Sequence, residues 1–199
     1  MRSPRALFLA APLLLAGYGV VRLIGRMDDA YGPGPDWQVA HALGLAGLLL
    51  FAPVVLGLGR MLPATWWRTV TVGVTLAGLV AMVVQFGVDI VQAALSADKV
   101  ELTAMQHDFQ DLPGVVPAVY SVGPQLFFLG LIALTVLLAV VRRAPWWCPV
   151  LTVAGVALPP VSLDLLPVSG LLFAAALFAV AHRNHPAGHR AGLSTSRRA

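Results

Sequence analysis

The chain has 199 residues, of which 58% are hydrophobic and 11% charged, and its mean hydropathy is +0.82. Soluble domains carry about 25% charged residues, so most of this chain has lipid for its solvent. The formal charge of +4 (thirteen basic against nine acidic residues) is spread over short segments with no single basic face, which argues against nucleic acid as a partner.

Apolar runs long enough to cross a bilayer, about 20 residues each, predict an all-α, polytopic bundle of six transmembrane helices. They fall at about 6–25, 38–59, 69–95, 115–141, 148–162 and 165–182, with 1–183 as one domain and 184–199 as a disordered basic tail. Arg2 and Arg5 precede the first run. No small-x-small cleavage site follows Ala6–Val21, so this run is expected to remain as an uncleaved span. The hydrophilic gap after it holds Asp28, Asp29 and Asp36, and Trp37 marks an interface before the second span. Arg60 and Arg68 flank the next gap, where Trp66 and Trp67 open the third span at the opposite interface.

The gap after the third span, 96–114, is patterned. Leu102, Met105, Phe109 and Leu112 follow 3-4-3 spacing, Asp98 and Glu101 form an acidic capping-box-like start, and Pro113 follows. These features predict a short amphipathic helix on the outer surface, its apolar face toward lipid or the bundle. Arg142, Arg143, Trp146 and Trp147 separate the fourth and fifth spans. The last two spans are compressed into Cys148–His182 and interrupted by Pro159, Pro160 and Pro167, so they are either two short crossings or a re-entrant hairpin. Ala64–Trp67 resembles Ala144–Trp147, and Gly47–Ala52 resembles Gly170–Ala175. Three tandem helical hairpins would produce such a repeat, and so would chance in a Leu/Ala/Gly-rich chain.

The charges alternate from gap to gap. Ten of the thirteen basic residues (2, 5, 60, 68, 142, 143, 183, 190, 197, 198) lie in four segments, and all nine acidic residues lie in or beside the other three. Lys/Arg-rich loops stay in the cytoplasm, which predicts cytoplasmic N- and C-termini. One lysine and one asparagine in a chain with twelve arginines suggest a GC-rich bacterial genome, hence the bacterial cytoplasmic membrane.

Chemistry is sought in polar residues at membrane depth, which are costly there and face the bundle or a wet cavity. Thr71, Val74, Gly78, Ala81, Gln85, Asp89 and Gln92 share one face of the third span, small residues in its inner half and polar ones in its outer half. His41 is the single histidine within a span, at a depth close to Asp89. Ser121 and Gln125 lie one turn apart beside Pro124, which leaves the Tyr120 carbonyl without its helical donor. Asp164 sits in the proline-rich hairpin, a pattern seen at transporter binding sites and also at plain turns. The candidate ligand-binding set is therefore Arg22, His41, Gln85, Asp89, Gln92, Ser121, Gln125 and Asp164. Asp89 could instead pair with Arg22 purely to lock helices.

No catalytic residue, metal site or cofactor is expected. His41, Asp89 and His107 lack diagnostic metal spacing, a bis-His haem would need a second intramembrane histidine, and Cys148 alone cannot form an intrachain disulfide. His182, His185 and His189 belong to the basic tail. Zinc-protease, nucleophile-elbow, P-loop and dinucleotide motifs are absent. The first reading is a membrane protein that binds or transports a small polar or amphiphilic ligand through an outward-facing polar cleft. The second is an accessory subunit whose partners are other membrane subunits or a second copy. A third, acid–base catalysis by His41 and Asp89, lacks a third group. Membrane lipid is the expected partner in every case.

Overall fold

The computed structural model describes residues 4–27 and 32–184. The expectation of a disordered tail falls outside these, as do Asp28, Asp29, His185 and His189. The described residues contain helices and no strand: α1 Pro4–Gly25, α2 Pro35–Arg60, α3 Trp66–Leu95, α4 Lys99–Gln110, α5 Val122–Val140, α6 Trp147–Val161 and α7 Leu166–Asn184. A π-helical turn, Val116–Ser121, leads into α5, and a 3₁₀ turn, Leu163–Leu165, joins α6 to α7. Five of these segments, one of them the π-turn together with α5, are long and apolar enough to cross a membrane; α6 is a shorter apolar helix of 15 residues. At about 1.5 Å per residue α6 is about 22 Å long, less than a ~30 Å hydrocarbon core.

Local chemistry starts these helices where the sequence punctuates them. Pro35, with φ already set, and Asp36, facing the positive end of the helix dipole, open α2. The Thr65 hydroxyl accepts the Arg68 N–H at the start of α3. The Asp98 carboxylate accepts the N–H groups of Val100 and Glu101 at 2.8 and 2.9 Å, and Glu101 accepts the N–H of Ala97, the residue before the cap, at 2.6 Å, a capping-box-like start for α4. The α5 C-terminus closes with the Arg143 N–H on the Leu138 carbonyl at 2.7 Å, and Arg142 takes the left-handed position (φ 59°) that glycine usually fills.

The long helices alternate in direction and form a closed ring in the order α1, α2, α3, α5, α6, α7 and back to α1. Leu48, Phe51, Leu58, Phe127, Leu134, Phe173 and Leu177 fill the interior with side chains that expose almost nothing. Phe51 and Phe127 meet edge-to-face at 5.3 Å across the α2–α5 contact. Small residues set the seams. A methyl group on Gly170 would sit 2.6 Å from the Ala16 nitrogen, and one on Gly47 would sit 3.0 Å from the Ala11 carbonyl oxygen, so α7 and α2 each press backbone to backbone on α1.

The alternation sorts the charges. Arg5, Arg60, Arg68, Arg142, Arg143 and Arg183 lie at the end where α1 begins and α7 finishes, and Asn184 Nδ2 donates to the Arg143 carbonyl there at 2.7 Å. Trp66 and Trp67 stack at that end and are more than half exposed. Every described acidic residue lies at or near the opposite end. Helix α4 packs on that end by Leu102, which is buried, while Leu112 stays exposed because α4 stops at Gln110.

Candidate functional site

At the acidic end, α1, α2, α3 and the 3₁₀ turn leave a chamber of about 530 Å³ lined by Tyr18, Arg22, Arg26, Trp37, His41, Asp89, Lys99 and Leu163. That volume lies within the ~300–1,000 Å³ range of small-molecule sites. Helix α1 supplies Tyr18 and Arg22, four residues apart and so on one face, with Arg26 just past the helix end. Helix α2 supplies Trp37 and His41 by the same spacing.

The floor is aromatic. Trp37 and His41 stack with ring centroids 4.2 Å apart, and Tyr18 meets His41 at 5.4 Å and Phe86 at 5.1 Å, both edge-on. His41 Nδ1 lies 2.9 Å from the Trp37 carbonyl oxygen. A carbonyl only accepts, so Nδ1 carries the donated proton and Nε2 is the nitrogen left for a ligand or water. Gly44 makes room for the Phe86 ring against α2, which holds this cluster tight to α3.

Asp89 lies one turn beyond Gln85 on α3 and is only 8% exposed. Among the described residues its carboxylate has no hydrogen bond and no ion pair. Arg22 does not pair with it. Arg22 and Arg26 both donate to Oδ1 of Asp164, at 3.3 and 2.8 Å. The locking pair therefore joins the end of α1 to the α6–α7 turn and leaves the chamber carboxylate unmatched. About 28 Å of helix separates Val70 from Asp89 at 1.5 Å per residue. That is nearly one full crossing of a ~30 Å hydrocarbon core, counted from the start of the apolar run of α3.

The other candidates from the sequence are distributed. Gln85 is half-buried on α3 and does not line the chamber. Gln92 is buried, and its Nε2 donates to the Met105 carbonyl at 2.9 Å, fastening α4 to α3. Ser121 and Gln125 are exposed and belong to a second cavity of about 560 Å³ between α5 and α6, with Tyr120, Pro124, Phe128, Leu129, Val156, Pro159, Pro160 and Leu163. Asp164 does not line the chamber but accepts from its Arg22 and Arg26. The chamber thus gathers Arg22, His41 and Asp89 from the candidate set, and adds Tyr18, Arg26, Trp37, Lys99 and Leu163. Tyr18 and Arg26 were available from the sequence by their four-residue spacing around Arg22. Lys99 and Leu163 enter only because α4 and the 3₁₀ turn fold back over the ring. The backbone irregularity beside Pro124 is the π-turn that precedes it: the Val122 N–H reaches back five residues to the Pro117 carbonyl. Among the described residues no cluster of three or more His, Cys, Asp or Glu could hold a metal ion.

No protein-family model matches this chain, and neither the curated proteins nor the solved structures contain a significant match.

Proposed function

We propose that this protein is a multi-pass membrane protein that binds or carries a small polar or amphiphilic ligand in the chamber around Asp89. The observation that supports this reading is the pairing pattern. A largely buried carboxylate has no hydrogen bond or ion pair among the described residues and faces a cavity, while Arg22 and Arg26 of the same chamber pair with Asp164 instead. An unpaired buried charge is costly, and sites that keep one use it on a ligand, a proton or an ion. The alternative, an accessory subunit held together by intramembrane polar residues, accounts for Gln92 and Arg22 as fasteners but leaves Asp89 with nothing to fasten.

In this reading the ring crosses the bacterial cytoplasmic membrane six times, α6 doing so with the help of the 3₁₀ turn, and the arginine-rich end faces the cytoplasm. The chamber then opens outward. Reporter fusions after Gly114 and after Asn184 are expected to give opposite signals, the former external. Equal signals would remove the six-span topology.

Cysteine accessibility tests the cleft. In a Cys148→Ala background, Asp89→Cys is expected to react with a membrane-impermeant thiol reagent added from outside. Val91→Cys, on the exposed apolar face of α3, is expected to stay unlabelled in membranes because lipid covers it. A silent Asp89→Cys would mean a dry bundle and would return the accessory-subunit reading to first place.

A further inference from the structure

The charged chamber and the α5–α6 cavity share one wall, the side chain of Leu163 on the 3₁₀ turn. Their characters differ. The chamber presents Arg22, Arg26 and Lys99 together with Asp89, whereas the second cavity is walled chiefly by Phe128, Leu129, Val156 and the prolines of α6. Leu129 is 59% exposed on the outer side of α5, so this second cavity is a groove on the lipid-facing surface. The prolines end α6 early and the π-turn widens the start of α5, so the two helices do not close on each other at this level.

From this juxtaposition we propose that the occupant is a membrane phospholipid whose headgroup carries both a phosphate and an ammonium. One acyl chain lies in the α5–α6 groove, and the headgroup passes Leu163 into the chamber. This assignment rests on the cleft reading above and names its ligand class. The depth agrees, because Asp89 sits at the level where headgroups begin. The charges agree as well. Arg22 and Arg26 already converge on a single acceptor oxygen, Oδ1 of Asp164, and a phosphate oxygen can take that place. Asp164 is 44% exposed, so water can solvate its carboxylate once a phosphate oxygen replaces it on the two arginines. Asp89, among the rings of Tyr18, Trp37 and His41, takes the ammonium, which a carboxylate and aromatic faces both attract. A lipid with phosphate and no ammonium would fill the same space and leave Asp89 unmatched.

The test uses the full chain purified in detergent and titrated with phosphatidylethanolamine and phosphatidylglycerol of identical acyl chains, with bound lipid read by native mass spectrometry. Wild type is expected to prefer phosphatidylethanolamine by about tenfold, the worth of one charge-assisted contact. Asp89→Asn should bring that ratio close to one with retention of fold, checked by thermal unfolding. Asp164→Asn, which frees both guanidinium groups, should tighten both lipids. Leu129→Trp, filling the groove, should weaken both lipids and leave water-soluble glycerophosphoethanolamine unaffected. Equal binding of the two lipids by wild type, or a preference that survives Asp89→Asn, overturns the assignment. Glycerophosphoethanolamine binding as tightly as the intact lipid overturns the groove's role and makes the ligand a soluble zwitterion. External labelling of Asp89→Cys without any lipid preference would reject the lipid while keeping the cleft; absence of labelling rejects the cleft itself.

Discussion

Gly78→Ala is expected to destabilise the bundle by about 2–3 kcal/mol, the upper range for overpacking a filled interior. The new methyl would collide with the Phe127 nitrogen and lie 2.6 Å from the Gly123 carbonyl oxygen, both backbone atoms of α5 that cannot rotate away. The α3–α5 seam continues through Gly130, which rests directly on Thr75, so α3 would have to move as a unit. Gly73→Ala, five residues earlier on the same helix and with nothing within 4 Å of the added methyl, is the matched control. It is expected to stabilise by about 0.5–1 kcal/mol through the ordinary helix preference of alanine over glycine. Unfolding of the two variants in mixed micelles, followed by helix content, makes the comparison. Similar changes of the same sign would show that α3 and α5 do not meet at Gly78.

A thermodynamic cycle separates the two possible partners of Arg22. Arg22 is 13% exposed and Asp164 44%, so losing the carboxylate strands a largely buried cation, and Asp164→Ala is expected to cost about 1–2 kcal/mol, discounted for the open side of the pair. The double variant Arg22→Ala/Asp164→Ala should lose less than the sum, with a coupling of about 1 kcal/mol. Arg22→Ala and Asp89→Ala should be additive, because no ion pair joins them. Thermal stability in detergent reads all three. Coupling between Arg22 and Asp89 instead would place the lock inside the chamber and remove the unmatched carboxylate on which the functional reading depends.

The sequence by itself determined the elements that obey local or one-dimensional rules. Apolar run length marks the membrane-spanning helices, because a helix in lipid must satisfy its own backbone over the thickness of the core. The Asp98/Glu101 pair announces the start of α4, because a capping box needs only residues three apart. The 3/4 spacing of Gly78, Gln85, Asp89 and Gln92 put them on one face of α3, but a shared face is not a shared site. Tertiary structure decided which neighbour each residue met. Gln92 lies under α4 and became a fastener, while Asp89, one turn earlier, lies beside the opening between α1 and α2 and met a cavity. Arg22 could reach a carboxylate on α3 or on the α6–α7 turn, and only closure of the ring, with α7 pressed onto α1 at Gly170, brought Asp164 within 3.3 Å of it. Such choices depend on contacts more than a hundred residues apart. Hydrophobic periodicity carries no term for them, since it records which side of a helix is apolar and not which helix lies against that side.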